Sequence, residues 1–202
     1  PHKRYLALLA ATFLHGHQVE IQAEPASKTV EWIVEAALRA AGLAAAGFGT
    51  GSRDGRGFER ALAEAAKALR LEAHAQGTVR SKKIQDAGND VIGRLDFGDD
   101  GYGKWIFIGQ TTCGASETWP KKAMEPSRAR WQKLLGLSSW PVRFLAVPHE
   151  IPQGYRLEIC TQADHSVFLL DRRRLVFPER QLLPAEEKLV SELRRVRLEG
   201  FS

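Results

Sequence analysis

Apolar positions along this chain recur with two periods, near 3.6 and 2, and the switches between them mark out the elements. The run from Tyr5 to Leu14 predicts a short helix, and Val19, Ile21 and Ala23 alternating with Gln18, Glu20 and Gln22 predict a half-buried strand that Glu24-Pro25 ends. Val30, Ile33, Val34, Ala37, Leu38 and Ala41 follow helical spacing as far as Gly42, which stops that helix. These first fifty residues read as a small αβα subdomain. Five glycines between Gly47 and Gly57 supply turn and linker chemistry, so the boundary falls there, with residues 1–50 as the subdomain and 51–202 as the main domain.

Phe58, Leu62, Ala65 and Leu69 then predict an amphipathic helix over 58–71 whose apolar stripe docks on a sheet. After a turn at Gly77 and the polar stretch Lys82 to Asn89, the segment from Asp90 to Phe97 reads as a strand. Gly98 to Gly103 is a turn, and Trp105 to Ile108 is a second strand, which closes a hairpin. A helix carrying Trp119, Lys121, Lys122, Trp131, Leu134 and Leu135 follows, and then a strand from Val142 to Val147. Tyr155 to Ile159 and Val167 to Leu170 read as further strands, and Leu189, Leu193 and Val196 mark a closing helix. The alternation predicts a mixed α/β fold.

Composition narrows the class more than the function. The chain has 202 residues, 44% hydrophobic and 26% charged, which suits one domain with a small addition. Lys and Arg number 29 against 24 Asp and Glu, and the resulting +5 favours a polyanionic partner. Cys113 and Cys160 lie in no CxxC or Cys/His spacing, which argues against a disulfide framework or structural zinc and for a reducing, cytoplasmic setting. No stretch reaches the roughly 18 apolar residues of a membrane span, so no membrane partner is expected. Pro1 in place of Met suggests processing or excision from a longer protein, which makes an upstream region or a larger complex an expected partner.

The chemistry concentrates on the hairpin. Metal-assisted hydrolysis of a phosphodiester takes oxygen ligands for Mg²⁺ and a cation beside the attacked phosphate, so the question is which oxygen donors this hairpin gathers at one end. With the turn centred between Gly98 and Gly103, facing residues have numbers that sum to about 202, pairing Asp90 with Thr112 and Ile92 with Gln110. Asp90, Gln110 and Thr112 then share one face at the open end, while Asp96 sits beside the turn.

Gly88-Asn89-Asp90-Val91-Ile92-Gly93, the turn, Ile106 to Gln110, and then Cys113-Gly114, Trp119 and Lys122 together resemble a divergent PD-(D/E)XK nuclease core over roughly residues 58–150. The resemblance implies a restriction-endonuclease-like α/β fold, a mixed sheet flanked by helices. It implies Asp90 as first metal ligand, Gln110 in the second ligand position as an amide, and Glu59 as the acidic residue of the first helix. The lysine expected two residues after the second ligand is Thr112 here, which makes Lys122 the candidate for a migrated lysine and Lys121 its alternate. The implied activity is Mg²⁺- or Mn²⁺-dependent hydrolysis of DNA, double-stranded by preference, in restriction or anti-phage defence, with a homodimer suited to double-strand cutting. The amide at 110 and the missing lysine keep open a catalytically inactive nuclease-fold module that binds nucleic acid or a partner subunit.

Other features carry plainer readings. Phe48-Gly-Thr-Gly-Ser-Arg lacks the phosphate-cradling GxxxxGK[ST] pattern. Cys113 reads as a small buried residue, His15 and His17 as structural, and the tryptophans as packing residues. The basic clusters Arg172-Arg173-Arg174 and Arg194-Arg195-Val196-Arg197, with Arg80, Lys82 and Lys83, are candidates to follow a nucleic-acid backbone; Lys82, Lys83, Arg172 and Arg173 are foremost.

Overall fold

The computed structural model describes residues 2–17, 20–21, 24–48, 57–74, 88–95, 97–98, 104–163, 166–177 and 181–199. Helix α1 (His2–Gly16) leads through the two-residue strands β1 (Glu20–Ile21) and β2 (Glu24–Pro25) to α2 (Ala26–Ala40) and strand β3 (Leu43–Gly47). Helix α3 (Phe58–Ala68) precedes the hairpin strands β4 (Val91–Leu95) and β5 (Ile106–Thr111). Then come α4 (Trp119–Met124), α5 (Arg128–Leu134), β6 (Val142–Ala146), α6 (Gln153–Gln162), β7 (Val167–Leu170), α7 (Arg172–Val176) and α8 (Pro184–Glu199). A five-stranded mixed sheet in the order β3-β4-β5-β6-β7 forms the centre, antiparallel from β3 to β5 and parallel from β5 to β7. The fold is α/β.

Alternation along each strand sends neighbouring side chains to opposite faces. Ala45, Val91, Phe107, Phe144 and Ala146 pack on one face with α1, α2, Leu175 of α7 and Leu189 of α8. On the other face Ala46, Ile92, Ile106 and Ile108 meet α3 and α5, while Leu145, Val147 and Leu169 meet Trp119 of α4 and Ile159 of α6. Helices therefore cover both faces. No helix among the described residues is long and apolar enough to cross a membrane.

Four expectations change. The separate subdomain at residues 1–50 does not stand apart, because β3 pairs with β4 from Leu43↔Leu95 to Gly47↔Val91 and α2 buries its stripe against the central sheet. Leu43-Ala-Ala-Ala-Gly47 lacks the β-branched and aromatic residues that announce a strand, and burial on both faces supplies what propensity does not. Tyr155 to Ile159 is helical rather than extended, since Tyr155 and Ile159 are spaced four apart and pack together against Leu145, Val147, Leu169 and Trp119. The single helix over 119–135 is two, because Pro126 has no N–H to continue α4, and Ser127 restarts the chain by accepting the Arg130 N–H as N-cap of α5. The hairpin register sums to 200 rather than 202, with Val91 opposite Gly109 and Ile92 opposite Ile108.

Buried polar side chains hold these layers in register. Arg94 is 2% exposed and donates through Nη1 to the Leu69 carbonyl at 2.8 Å, beyond the end of α3. That helix ends in a Schellman turn, Leu71 N–H to Ala66 and Arg70 N–H to Lys67, with Arg70 in the left-handed conformation at φ 50°. Between β5 and β6, Gly109 lies beneath the Phe144 ring, and a Cβ there would stand 2.3 Å from Phe144 Cδ2. Gly109→Ala is therefore expected to cost at least about 2 kcal/mol by overpacking, with part of the loss recovered in the Gly109→Ala/Phe144→Leu double variant. Urea denaturation of the three variants measures this, and an unchanged midpoint for Gly109→Ala would contradict the close packing.

Candidate functional site

The topology brings five chain segments to one end of the sheet. There β3 and the parallel strands β5, β6 and β7 end, and β4 begins. Asp90 stands at the start of β4. Its N–H donates to the Gly109 carbonyl at 2.9 Å, although Gly109 is already the register partner of Val91, so two residues oppose one as in a β-bulge. Asn89, fully buried, accepts the Gly109 N–H on Oδ1 at 2.5 Å. The next residue along, Phe48 beyond β3, donates its N–H to the Asp90 carbonyl at 2.6 Å.

The bulge decides where the carboxylate goes. Asp90 Oδ2 accepts both the Thr111 N–H at 2.7 Å and the Thr111 hydroxyl at 3.1 Å. Thr111 alternates in phase with Phe107, on the face covered by α1 and α2. Gln110, 4% exposed, is in phase with Ile106 and Ile108 on the opposite face. Asp90 and Gln110 are thus not brought together on one face, as the simple period-2 reading expected, because a bulge breaks that period where it matters.

The remaining expected residues disperse further. Glu59 is exposed in the first turn of α3, where a carboxylate complements the helix dipole, on the face away from Thr111. Lys122 lies on α4, whose end abuts Gly88: a Cβ on Gly88 would meet the Glu125 carbonyl oxygen at 2.7 Å. Its ammonium is engaged by Glu125 Oε2 at 2.8 Å. Lys121 is exposed on the same short helix. Thr112 turns its hydroxyl to the Gly114 N–H at 3.0 Å. Among the described residues no group of three or more His, Cys, Asp or Glu side chains is arranged to hold a metal ion. Asp96, Arg80, Lys82 and Lys83 lie outside the described residues.

Arg172 and Arg173 are tied to the protein itself. Arg172 donates through Nε to the Pro148 carbonyl at 2.7 Å and through Nη1 to the Tyr5 hydroxyl at 3.1 Å, with its guanidinium 5.0 Å from the Tyr5 ring centre. Arg173 pairs with Glu150 at 2.6 Å. Asp171, 1% exposed, caps α7 by accepting the Arg174 N–H at 3.1 Å and is paired with Arg156. These contacts join the ends of β6 and β7 to α1.

Two residues that the spacing did not single out belong to this end. Glu31, on α2, has its negative charge felt at Cys113, and it pairs with Lys28 at 2.5 Å. Both side chains are 17% exposed. Reading no strand at 43–47 hid them, because it is α2 that leads into β3 and ends beside the start of the antiparallel sheet.

Burial, then the Glu31 charge, pushes the Cys113 thiol up to about 12, so it remains protonated and a poor nucleophile at neutral pH. Beside it, His149 Nε2 lies 3.3 Å from the Cys113 carbonyl, and its ring is 5.6 Å from that of Trp119. Burial lowers the His149 pKa from 6.5, the hydrogen bond to the Cys113 carbonyl opposes this, and the charges of Arg172 and His15 add to the lowering. A base with a depressed native pKa is protonated first in the unfolded chain, so the stability present above about pH 6.5 is lost as the pH falls below it. Denaturant unfolding should show stability declining as the pH falls below about 6.5, and His149→Gln should flatten that decline. An equal slope in the variant would remove His149 as the cause. Native Cys113 should also react with iodoacetamide at neutral pH at least about tenfold more slowly than the half-exposed Cys160, as read by peptide mass spectrometry.

Comparison with known protein families, with characterised proteins and with solved structures finds no match to this chain.

Proposed function

We propose that this chain is a restriction-endonuclease-like domain that hydrolyses DNA phosphodiesters with Mg²⁺ or Mn²⁺, with Asp90 at its reaction centre. The observation that carries this reading is the order α2, β3, α3, the antiparallel pair β4 and β5, α4 and α5, then β6 parallel to β5, with Asp90 at the sheet end to which α2 contributes Glu31. In this reading Asp90 and Glu31 share the metal, while Gln110 and Glu59 serve the opposite layer. Lys28, beside Glu31, supplies the cation that position 112 does not, stabilising charge on the attacked phosphate. The ion, when bound, lowers the pKa of the attacking water and neutralises the phosphate. The natural setting for such an activity is restriction or anti-phage defence.

A second reading, binding of nucleic acid or of a partner subunit without cutting, is favoured by one observation. The Asp90 carboxylate already has two donors in Thr111, and the ammonium of Lys122 is held by Glu125.

The test is cleavage of plasmid, linear duplex, single-stranded DNA and RNA in Mg²⁺, Mn²⁺ or EDTA. Asp90→Ala and Glu31→Gln should each lose at least about a hundredfold of the metal-dependent rate, and Glu59→Ala should retain it. Absence of metal-dependent cleavage, or Asp90→Ala cutting as well as wild type, defeats the enzyme reading. Salt-sensitive binding without cleavage then establishes the second reading.

A further inference from the structure

Strand β3 is one edge of the sheet, and it lacks the usual protection of an edge. Leu43-Ala-Ala-Ala-Gly47 carries no Lys, no Pro and no bulky outward group to keep a second strand away. Its hydrogen-bonding phase follows from Phe48, whose N–H donates to Asp90 on β4. Even-numbered residues therefore face β4, and the main-chain groups of Leu43, Ala45 and Gly47 face outward. Beside Ala46 and Gly47 a cleft of about 290 Å³ opens between α2 and α3.

Two side chains of α2 occupy these outward groups. Arg39 donates through Nε and Nη2 to the Ala45 carbonyl at 3.0 and 2.8 Å. Glu35 accepts the Gly47 N–H on Oε2 at 3.1 Å, and its Oε1 pairs with Arg39 Nη2 at 2.5 Å. The pair lies one helical turn apart on α2, and between them its members contact two of the three outward edge positions, Ala45 and Gly47. At the far edge of the sheet, Arg174 closes the Leu169 carbonyl of β7 at 2.8 Å.

We infer that Glu35 and Arg39 form a latch over the β3 edge that prevents strand addition, and that the strand it excludes is β3 of a second copy of this chain. The three outward residues are symmetric about Ala45. An antiparallel partner can place Leu43 opposite Gly47 and Ala45 opposite Ala45, which is the self-complementary arrangement a two-fold dimer requires. Small side chains along the strand let the two backbones approach. With the latch in place, the Ala45 carbonyl and the Gly47 N–H have no valence left for that partner.

Sedimentation velocity tests this. Arg39→Ala should sediment as a species of about twice the mass of the wild-type particle at matched concentration. Adding Ala45→Pro removes an outward N–H without touching the ladder to β4 and should return the wild-type mass. A wild-type mass for Arg39→Ala, with its far-ultraviolet dichroism intact, overturns the latch, as does association that persists in the double variant. Hydrogen exchange in the unsubstituted protein gives a readout that needs no variant: the Gly47 amide, held by Glu35, should exchange at least about tenfold more slowly than the outward Ala45 amide. Equal rates overturn the latch.

Discussion

Three demands meet at Gly109, and the sheet end depends on their being met together. Its N–H is taken by the side chain of Asn89, its carbonyl by the N–H of Asp90, and the space where its side chain would stand by the ring of Phe144. The first two substitute a side chain and a bulge for regular ladder bonds, turning Asp90 out of phase with β4. The third lets β6 approach β5 with an aromatic ring packed between them, which joins the antiparallel half of the sheet to the parallel half. Any residue larger than glycine separates β5 from β6 or displaces Phe144 from the first core. The direction of the Asp90 carboxylate and the packing of Phe144 thus both meet at Gly109, the first through its main chain and the second through its missing side chain.

That coupling explains which parts of the molecule were legible beforehand. Helices with one buried stripe, such as α2 and α3, announce themselves because burial of one face is the force that forms them. The hairpin was readable for the same reason. Position along a strand carries less information. The period-2 rule assigns Asp90 and Gln110 to one face, and the bulge at Asp90 reverses the assignment through a main-chain bond that leaves no mark on residue type. Strand β3 was hidden by three alanines, which carry no strand signal until β4 is alongside. Once β3 is missed, α3 takes the place of α2 as the helix before the antiparallel strands, and Glu59 takes the place of Glu31. One unread strand thus moves the acidic candidate from one face of the sheet to the other.

The positive charge of the chain also reads differently in three dimensions. Arg39, Arg94, Arg128, Arg143, Arg156, Arg172 and Arg174 each donate to a main-chain carbonyl at a strand edge, a helix end or a loop. Guanidinium suits this work because its fork of donors is fixed in a plane and stays charged at every physiological pH. These arginines serve as caps for carbonyls that sheet and helix geometry leave without a partner. An excess of base over acid is therefore a weaker pointer to a polyanion than composition alone implies, since part of that excess is consumed in closing the fold.

The same economy separates the two ends of the sheet. At the end where β3, β5, β6 and β7 finish, polar groups are drawn inward: Asp90 to Thr111, Asp171 to Arg156, Arg172 to Pro148 and Tyr5, His149 to the Cys113 carbonyl. Each bond locks a loop that would otherwise be free, so this end is held in one arrangement by many charge-assisted contacts of modest individual strength. A ligand that displaces Thr111 from Asp90 must return at least what those two bonds contribute. On the proposed function, a metal ion at this end would compete with the Thr111 N–H and hydroxyl for the Asp90 carboxylate.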